Sequence, residues 1–553
     1  MNLHDLAELM FPNTHETVEE IEKRYPEREL EEGAEVTRFA PSPTGFVHMG
    51  SLLSAFEDYK IAKDSNGVFY LRIEDTDQKR SVENGISGII HDLADFEIYP
   101  DEGMISETES KGEYGPYIQS ERKHIYEVYA KSLVERGYAY PCFCTEEELS
   151  ETREIQELNK ERIGYYGSYA KCRSLTVDEA CEKIKNGEKF VVRFKSPGNY
   201  DNKVKLDDRM RGEIEFPEND LDVVIIKSSD GLPTYHFAHA IDDHLMHTTT
   251  VMRGEDWIPS YPIHHQLFEV LGFKEPKFAH LGLVMKIDEE GTRRKLSKRK
   301  DPEASVSFYH EKGIPPEATK LYLTTIANSN FEEWLLQNPD KDLSEFKLDF
   351  KKMSESGSLF DVEKLFNISK NYISRMTAEE LYDNYLVWTK EFDTELYELL
   401  VNNKEYAIKI FSIERYQEKP RKDYASYSDV RNGIWYMFSS LFTNPTYEYQ
   451  KITDKSEIMN VLDTYFNEYY DYNDDKETWF NKVKEMCDKL GFASNMKEYK
   501  ANPDNFKGNV ADISTIIRVS MTSKSQTPDL YEILKLIHDE IPNRIEMVRN
   551  NYN

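Results

Sequence analysis

Apolar positions between residues 36 and 96 keep switching period. Residues 36–40 read Val-Thr-Arg-Phe-Ala, a short extended stretch, after which Leu52, Leu53, Ala55, Phe56, Tyr59 and Ile61 fall on one side of a helix. Residues 68–74 are extended again, and residues 82–96 return to helical spacing. Strand, helix and strand at these lengths form a βαβ unit, which implies a right-handed crossover and parallel strands. Strands resume over 222–227, 249–253 and 278–284, so the chain is read as α/β, with a parallel sheet split by an insertion at 117–220. That insertion opens with a helix over 118–137, ended by Gly137, and Thr145-x-x-Glu148 forms a capping box. A ligand is expected at the carboxyl ends of the parallel strands. The first 34 residues form a helical extension with Leu6, Leu9 and Met10 on one side. After residue 300 the pattern is mostly helical: Leu381, Tyr385 and Trp388, then Leu396, Leu399 and Leu400, are punctuated by Pro420 and Pro445. The many tyrosines there are read as core, since aromatics at helical spacing are more often packed than exposed for stacking bases.

At 553 residues the chain has room for three or four domains of ~100–200 residues each. No apolar run is long enough to span a bilayer, and residues 1–30 are charged and lack the core of a signal peptide, so a cytoplasmic protein with no membrane partner is expected. Five cysteines, an odd and small number, suit a reducing compartment. Seventy basic against 102 acidic residues give a net charge of −32. That charge opposes bulk attraction to nucleic acid, although binding depends on local patches. Such patches stand at Arg293-Arg294-Lys295 with Lys298-Arg299-Lys300, and at Lys419-Pro420-Arg421-Lys422; the second reads as a solvated loop.

Two motifs carry chemistry. Phe39-Ala40-Pro41-Ser42-Pro43-Thr44-Gly45-Phe46-Val47-His48-Met49-Gly50-Ser51 runs from strand through a helix-excluding double proline into a helix. Gly45 and Gly50 permit close backbone approach, and the helix N-terminus offers N–H groups and partial positive charge to phosphates, with His48 as a further donor. Lys295-Leu296-Ser297-Lys298-Arg299 sets cations around a small hydroxyl residue, which suits a loop that closes over a polyphosphate. Between them stand Leu71-Arg72-Ile73-Glu74-Asp75-Thr76-Asp77, Pro233-Thr234-Tyr235-His236-Phe237-Ala238, Asp242-Asp243-His244-Leu245-Met246 and Arg253-Gly254-Glu255-Asp256-Trp257.

With these segments in this order, the chain resembles the class I glutamyl-tRNA synthetases of the bacterial type over residues 36–375. Residues 48–51 take the place of the family's HIGH signature and residues 295–299 that of its KMSKS signature. The resemblance implies a Rossmann-type class I catalytic core in two halves, 35–116 and 221–300, with an inserted acceptor-end-binding domain at 117–220. A stem-contact domain at 301–376 and a helical anticodon-binding domain at 377–553 would follow the 1–34 extension and that core. It implies ATP-dependent attachment of L-glutamate to tRNA(Glu) through a glutamyl-adenylate, with Mg²⁺ bound along with ATP, by a monomer. Whether tRNA(Gln) is also charged stays open. His48, Gly50, Lys295 and Lys298 are the implied catalytic groups, and Ser51 and Arg299 further ATP contacts. Arg38, Ala40, Ser42, Glu74, Tyr235 and Arg253 would hold glutamate, with Arg38 on its side chain and Arg253 on its α-carboxylate. An arginine binds a carboxylate bidentately and disfavours an amide. His239 stands where the family usually has asparagine. Asp243 and His244 are read as a structural hydrogen-bonded pair rather than a metal pair, and Tyr235 and Trp257 serve packing or ligand contact equally well.

Rivals remain. A glutaminyl-tRNA synthetase shares the core, a tRNA-modifying paralogue would lack the residues after 377, and an inactive RNA-binding relative would not need His48, Lys295, Lys298, Arg38 and Arg253 intact. Some relatives hold a structural zinc through Cys-x-Cys and Cys-x-His. Here Cys142, Cys144 and Cys172 stand in similar places with 27 residues between the last two, but Ser174 takes the histidine's position. A hydroxyl is a poor replacement, Cys181 or His124 could complete the set only if the chain bends suitably, and the expectation is no bound metal, with the cysteines packed as small apolar residues.

Overall fold

The computed structural model describes every residue except Phe46, Lys298, Arg299, Asp340, Tyr552 and Asn553. The chain divides into two compact units, one of residues 1–308 with 319–362 and one of residues 309–318 with 363–553.

In the first unit, β1 (Val36–Phe39) is buried along its whole length and pairs in parallel with β2 (Val68–Leu71), Val36 opposite Val68. Burial on both faces usually goes with a continuous apolar run, and β1 departs from it at Thr37, which bonds the Asp58 carbonyl, and at Arg38, which lines a cavity. Their crossover is α3 (Met49–Asp64), which follows α1 (Leu3–Met10) and α2 (Val18–Glu22) of the extension. Helix α4 (Gly85–Ala94) leads to β3 (Glu102–Met104), parallel to β2, and β3 turns back into β4 (Ser110–Lys111).

The insertion begins with α5 (Lys123–Glu135), closed at Gly137 with φ +80°, and β5 (Ala139–Cys142). It continues through α6 (Glu146–Leu158), capped by Thr145 and Glu148 as its sequence requires, and α7 (Val177–Lys185). Strands β6 (Val191–Phe194), β7 (Lys203–Asp208), β8 (Gly212–Pro217) and β9 (Val224–Ile226) follow. The strand expected over 222–227 is β9, and it does not belong to the parallel sheet. It pairs antiparallel with β6 in the order β5-β6-β9, because its backbone partners are Val192 and Arg193 of the insertion. The strand over 249–253 is β10 (Thr250–Gly254), and that over 278–284 is β11 (Lys277–Leu281), its parallel partner. Residue 282 ends it: a Cβ on Gly282 would lie 2.2 Å from the Gly357 nitrogen. The β7–β8 hairpin joins β11 at Asp208 opposite Phe278, and Thr249 N donates to Val36 O at 2.9 Å, tying β10 to β1. Two further helices, α8 (Tyr235–Leu245) and α9 (Tyr261–Leu271), and an antiparallel pair, β12 (Met285–Ile287) and β13 (Arg293–Lys295), complete what surrounds the site.

Extension and insertion are locked together. Leu6, Ala7 and Met10 of α1 are buried, with α1 packed on α5 and α7, and Arg28 grips Glu102 of β3 with two bonds of 2.8 and 3.0 Å. The second unit is helical and encloses one large apolar core in which Tyr382, Tyr385, Tyr427, Tyr436 and Tyr465 are buried, as their spacing requires. Among the described residues no helix is long and apolar enough to cross a membrane.

Candidate active site

His48 is the N-cap of α3: its Nδ1 accepts from Gly50 N at 2.9 Å, so the other ring nitrogen carries the proton. That Nε2 lies 3.2 Å from the carbonyl of Leu296 and donates to it. The two motifs therefore touch through one imidazole. The loop before α3 is held by Asp92, whose carboxylate accepts from Val47 N at 2.8 Å, and by Pro43 O, which accepts from Val82 N at 3.0 Å.

Beneath α3 lies a cavity of about 570 Å³ at the carboxyl ends of β1, β2, β10 and β11. Arg38, Ala40, Pro41, Ser42, Thr44, Gly45, Val47, His48, Gly50, Ser51, Glu74, Tyr235, Arg253 and Lys295 all line it. Pro43 and Met49 are buried and do not line it, the Leu296 carbonyl meets His48, and Ser297 N donates to Asp301. Phe46, Lys298 and Arg299 lie outside the described residues.

The arginines of the cavity differ in their neutralisation. Arg38 Nε and Arg72 Nη1 share Asp243 Oδ1 at 3.2 and 2.8 Å, and Arg72 Nη2 also bonds Glu74 at 3.0 Å. Burial would raise the Asp243 carboxyl, but Arg38 and Arg72 outweigh it and hold it well below the usual carboxylate range. Burial pushes Glu74 upward against the same two arginines. Asp242 turns the other way and receives Arg122 Nε at 2.7 Å, Gln119 at 2.9 Å and the Tyr126 hydroxyl at 2.8 Å. His244 faces Glu22 at 2.9 Å and stacks on Phe273 while Asp243 turns to Arg38 and Arg72, so the two point apart and are not the hydrogen-bonded pair expected from sequence. Arg253 has no carboxylate partner among the described residues. Its Nε and Nη1 bond His280 and His264 at 3.0 and 2.8 Å, the Phe278 ring lies 4.6 Å from its guanidinium carbon, and Nη2 is buried without a hydrogen bond. Tyr235 packs on Trp257 with ring centres 4.1 Å apart and lies parallel to His239, which in turn bonds Asp243. Tyr235 and Trp257 thus serve both packing and the cavity wall.

In the basic segment, Arg294 grips Asp301 with bonds of 2.6 and 2.7 Å, and Asp301 also accepts from Ser297 N at 2.9 Å. Arg293 donates to the carbonyls of Ser356 and Gly357. The first basic patch is accordingly less available than its sequence suggests, since two of its arginines shape the loop. The Asp301 carboxyl is held far below its ordinary value, first by Arg294. Arg421 of the second patch pairs with Asp423 at 2.6 Å. Sequence reasoning singled out neither Arg72, Asp242 nor Asp301 as a hub, nor His264 and His280 as partners of Arg253. Isolated histidines and acids carry no spacing signal, and only the fold brings them together.

In the insertion, the Cys142, Cys144 and Cys172 sulfurs lie within 4.8 Å of one another, Cys144 and Cys172 at 3.7 Å. The Tyr165 hydroxyl is 3.4 Å from Cys142 Sγ and 3.3 Å from Cys144 Sγ. Ser174 turns to the carbonyl of Lys171, His124 pairs with Glu16, and Cys181 is buried on α7. Hydrogen bonding from Cys172 pulls the Cys142 thiol down to about 4. The Cys144–Cys172 separation and the two Tyr165 contacts are close to the edge length of a tetrahedron with ~2.3 Å metal–sulfur bonds. The three sulfurs are a set that could hold a metal ion, and the group beside them is the Tyr165 hydroxyl, which also accepts from Cys172 N at 3.0 Å, rather than the serine considered from sequence.

A parallel sheet with a histidine-capped helix N-terminus, a basic hairpin loop and a cationic cavity at its strand ends defines a nucleotide-dependent α/β enzyme acting on a small anionic substrate. The chain belongs to the class I tRNA synthetases for glutamate and glutamine: residues 35–366 match the family described as "tRNA synthetases class I (E and Q), catalytic domain". It is 48% identical over 543 residues to the glutamate–tRNA ligase of Clostridium beijerinckii, covering 98% of each chain. It is 46% identical to that of Acetivibrio thermocellus, again over 98% of each. The crystal structure of a glutamate tRNA ligase from Elizabethkingia meningosepticum, in complex with its amino acid, superposes with a TM-score of 0.73 at 26% identity, covering 94% of this chain and 100% of that one.

Proposed function

We propose that the protein joins L-glutamate to the 3′ end of tRNA(Glu), through a glutamyl-adenylate, with release of pyrophosphate and then AMP. The observation that carries this reading is the meeting of the two motifs at His48 and Leu296 over a cavity that contains Arg38 and Arg253. Near-full-length likeness to glutamate–tRNA ligases supports it.

Glutamate's α-carboxylate is ionised at neutral pH and attacks the α-phosphorus of ATP without a general base, so the protein has to supply alignment and positive charge. The α3 N-terminus, His48 Nε2 released from Leu296, Lys295 and Lys298 face the phosphates in this scheme, and pyrophosphate leaves in line with the attacking oxygen. Among the described residues no trio of metal-binding side chains lies in the cavity, so Mg²⁺ would be held by the phosphates it neutralises. Arg253 takes the amino acid's α-carboxylate and Arg38 the side chain, with Glu74 near the ammonium and Ser42, Ala40 and Tyr235 as further partners. In the second step the terminal ribose 2′-hydroxyl attacks the glutamyl carbonyl and AMP leaves. Residues 117–220 would receive the acceptor end, 301–376 the stem and 377–553 the anticodon. Cys142, Cys144, Cys172 and Tyr165 would hold a zinc ion that staples β5 to the loop before α7.

The test is pyrophosphate exchange with ATP and glutamate, with and without tRNA(Glu). Exchange is expected only with the tRNA, together with charging of that tRNA by glutamate. Exchange driven by glutamine but not glutamate, or no charging at all, refutes the reading.

A further inference from the structure

Among the described residues no carboxylate pairs with the buried Arg253, whose Nε and Nη1 each bond a histidine and whose charge Tyr235 also faces. A guanidinium only donates, so each ring must present a lone pair to it. Arg253 Nη1 is 2.8 Å from His264 Nδ1, which places the His264 proton on Nε2, where it donates to His236 Nδ1 at 2.8 Å. Arg253 Nε is 3.0 Å from His280 Nε2, which places that ring's proton on Nδ1, 2.7 Å from Asp208 Oδ2. Asp208 is fixed in turn: Oδ2 also accepts from His280 N at 3.0 Å and Oδ1 from Met210 N and Arg211 N at 2.9 Å each. The result is a continuous line from the β7–β8 hairpin of the insertion to the floor of the cavity, in which every tautomer is dictated by its neighbour.

We propose that His264 and His280 are positioning residues, whose lone pairs aim Arg253 at an anionic group of the substrate while leaving its charge unneutralised. This rests on the amino-acid role given to Arg253 above. An aspartate in either place would hold the guanidinium as firmly but cancel the charge the substrate needs; a neutral acceptor does the first without the second. Burial, with Arg253 itself, keeps both imidazoles uncharged: it lowers His264 well below its ordinary value and lowers His280 against the opposing pull of Asp208. The charged and titratable groups around His264 are Arg253 on β10, Tyr235, His236 and His239 on α8, and His280 on β11. Those around His280 are Asp208 on β7, Arg211, Arg253, His264 on α9 and Tyr261 on α9. Protonation of either ring would turn an acceptor into a donor facing Arg253 and expel it.

Steady-state charging of tRNA(Glu) tests this, read as KM for glutamate against KM for ATP and kcat. His264→Ala and His280→Ala should each raise KM for glutamate by about 10- to 100-fold, the usual effect of losing a hydrogen bond to a charged group, with KM for ATP and kcat within about threefold. His264→Asn and His280→Gln place a carbonyl oxygen where the lone pair was and should restore KM to within about threefold. Alanine variants that bind glutamate normally, or amide variants no better than alanine, overturn the proposal. Wild-type KM for glutamate should stay level from pH 8 to 6, where a free imidazole titrates; a rise in that interval which the amide variants lack overturns it without reliance on the alanine variants. Arg253→Gln separates the two readings. If it leaves KM for glutamate unchanged, the amino-acid role of Arg253 is wrong; if it raises KM while the histidine variants do not, only the positioning role fails.

Discussion

Replacing His48 by asparagine separates two tasks that one ring performs. Asparagine is a favoured N-cap, and its side-chain oxygen can accept from Gly50 N as His48 Nδ1 does at 2.9 Å, so α3 should keep its start. It has no equivalent of Nε2, which reaches the Leu296 carbonyl at 3.2 Å and is the donor best placed to turn to a phosphate when the basic loop moves. Loss of one donor to developing charge typically lowers kcat by ~10²–10³, or ~2.7–4 kcal/mol of transition-state stabilisation. The folded state should lose far less, because the cap is retained. His48→Ala removes both bonds and adds ~1 kcal/mol of lost stability, a drop in melting temperature of roughly 2 °C in a unit of this size. The assay is tRNA-dependent pyrophosphate exchange at saturating glutamate and ATP, with a calorimetric melt of the same preparations. A His48→Asn enzyme within a few-fold of the parent would show that Nε2 contributes nothing to the reaction, and the link between the motifs would then be structural alone.

Two further outcomes follow from groups away from the phosphates. Glu57 on α3 is 2% exposed, and burial raises its carboxyl from 4.5 to about 8. Between those values the folded chain holds a proton that the unfolded chain has released, so stability falls as pH rises through the window, by roughly 3 kcal/mol at pH 7. Glu57→Gln should therefore gain more in melting temperature at pH 8 than at pH 5, and an equal gain at both would refute the assignment. Elemental analysis should find one zinc per chain, with Cys144→Ser and Tyr165→Phe both lowering its retention under chelator; full retention by Tyr165→Phe would remove the hydroxyl from the ligand set.

The parallel core was legible because its strands are buried and its first helix buries Leu52, Leu53, Ala55, Phe56 and Ile61, although Glu57, Asp58 and Lys60 are buried with them: β1, α3, β10 and β11 fall within a few residues of where periodicity puts them. Val224–Ile226 misled because three apolar residues have the same pattern in either sheet, and its partner is chosen by Val192 and Arg193. Glu102–Met104 and Ser110–Lys111 differ for a related reason: Glu-Gly-Met and Ser-Lys carry no strand preference, and the first extends along the edge of β2 and the second along the edge that β3 then offers. In the site, residue types that must meet a phosphate or a carboxylate could be read from the two motifs. Which arginine already has a counter-ion could not, since Asp243 stands 205 residues beyond Arg38 in the chain.

Asp242 and Asp243 are neighbours on α8, and a helix turns by ~100° per residue, so one carboxylate serves Arg38 and Arg72 at the cavity while the other serves Arg122 at the root of the insertion. The two regions are thereby indexed to each other through a single peptide unit. A chimera that exchanged residues 117–220 for those of a relative would have to bring an arginine to the place of Arg122 and a donor to that of Gln119, or leave Asp242 buried with only Arg72, 3.9 Å away, to answer it. Grafts across this boundary are therefore expected to succeed when the junction is cut after Tyr126, and to fail when it is cut before Gln119 with a donor sequence that lacks the pair.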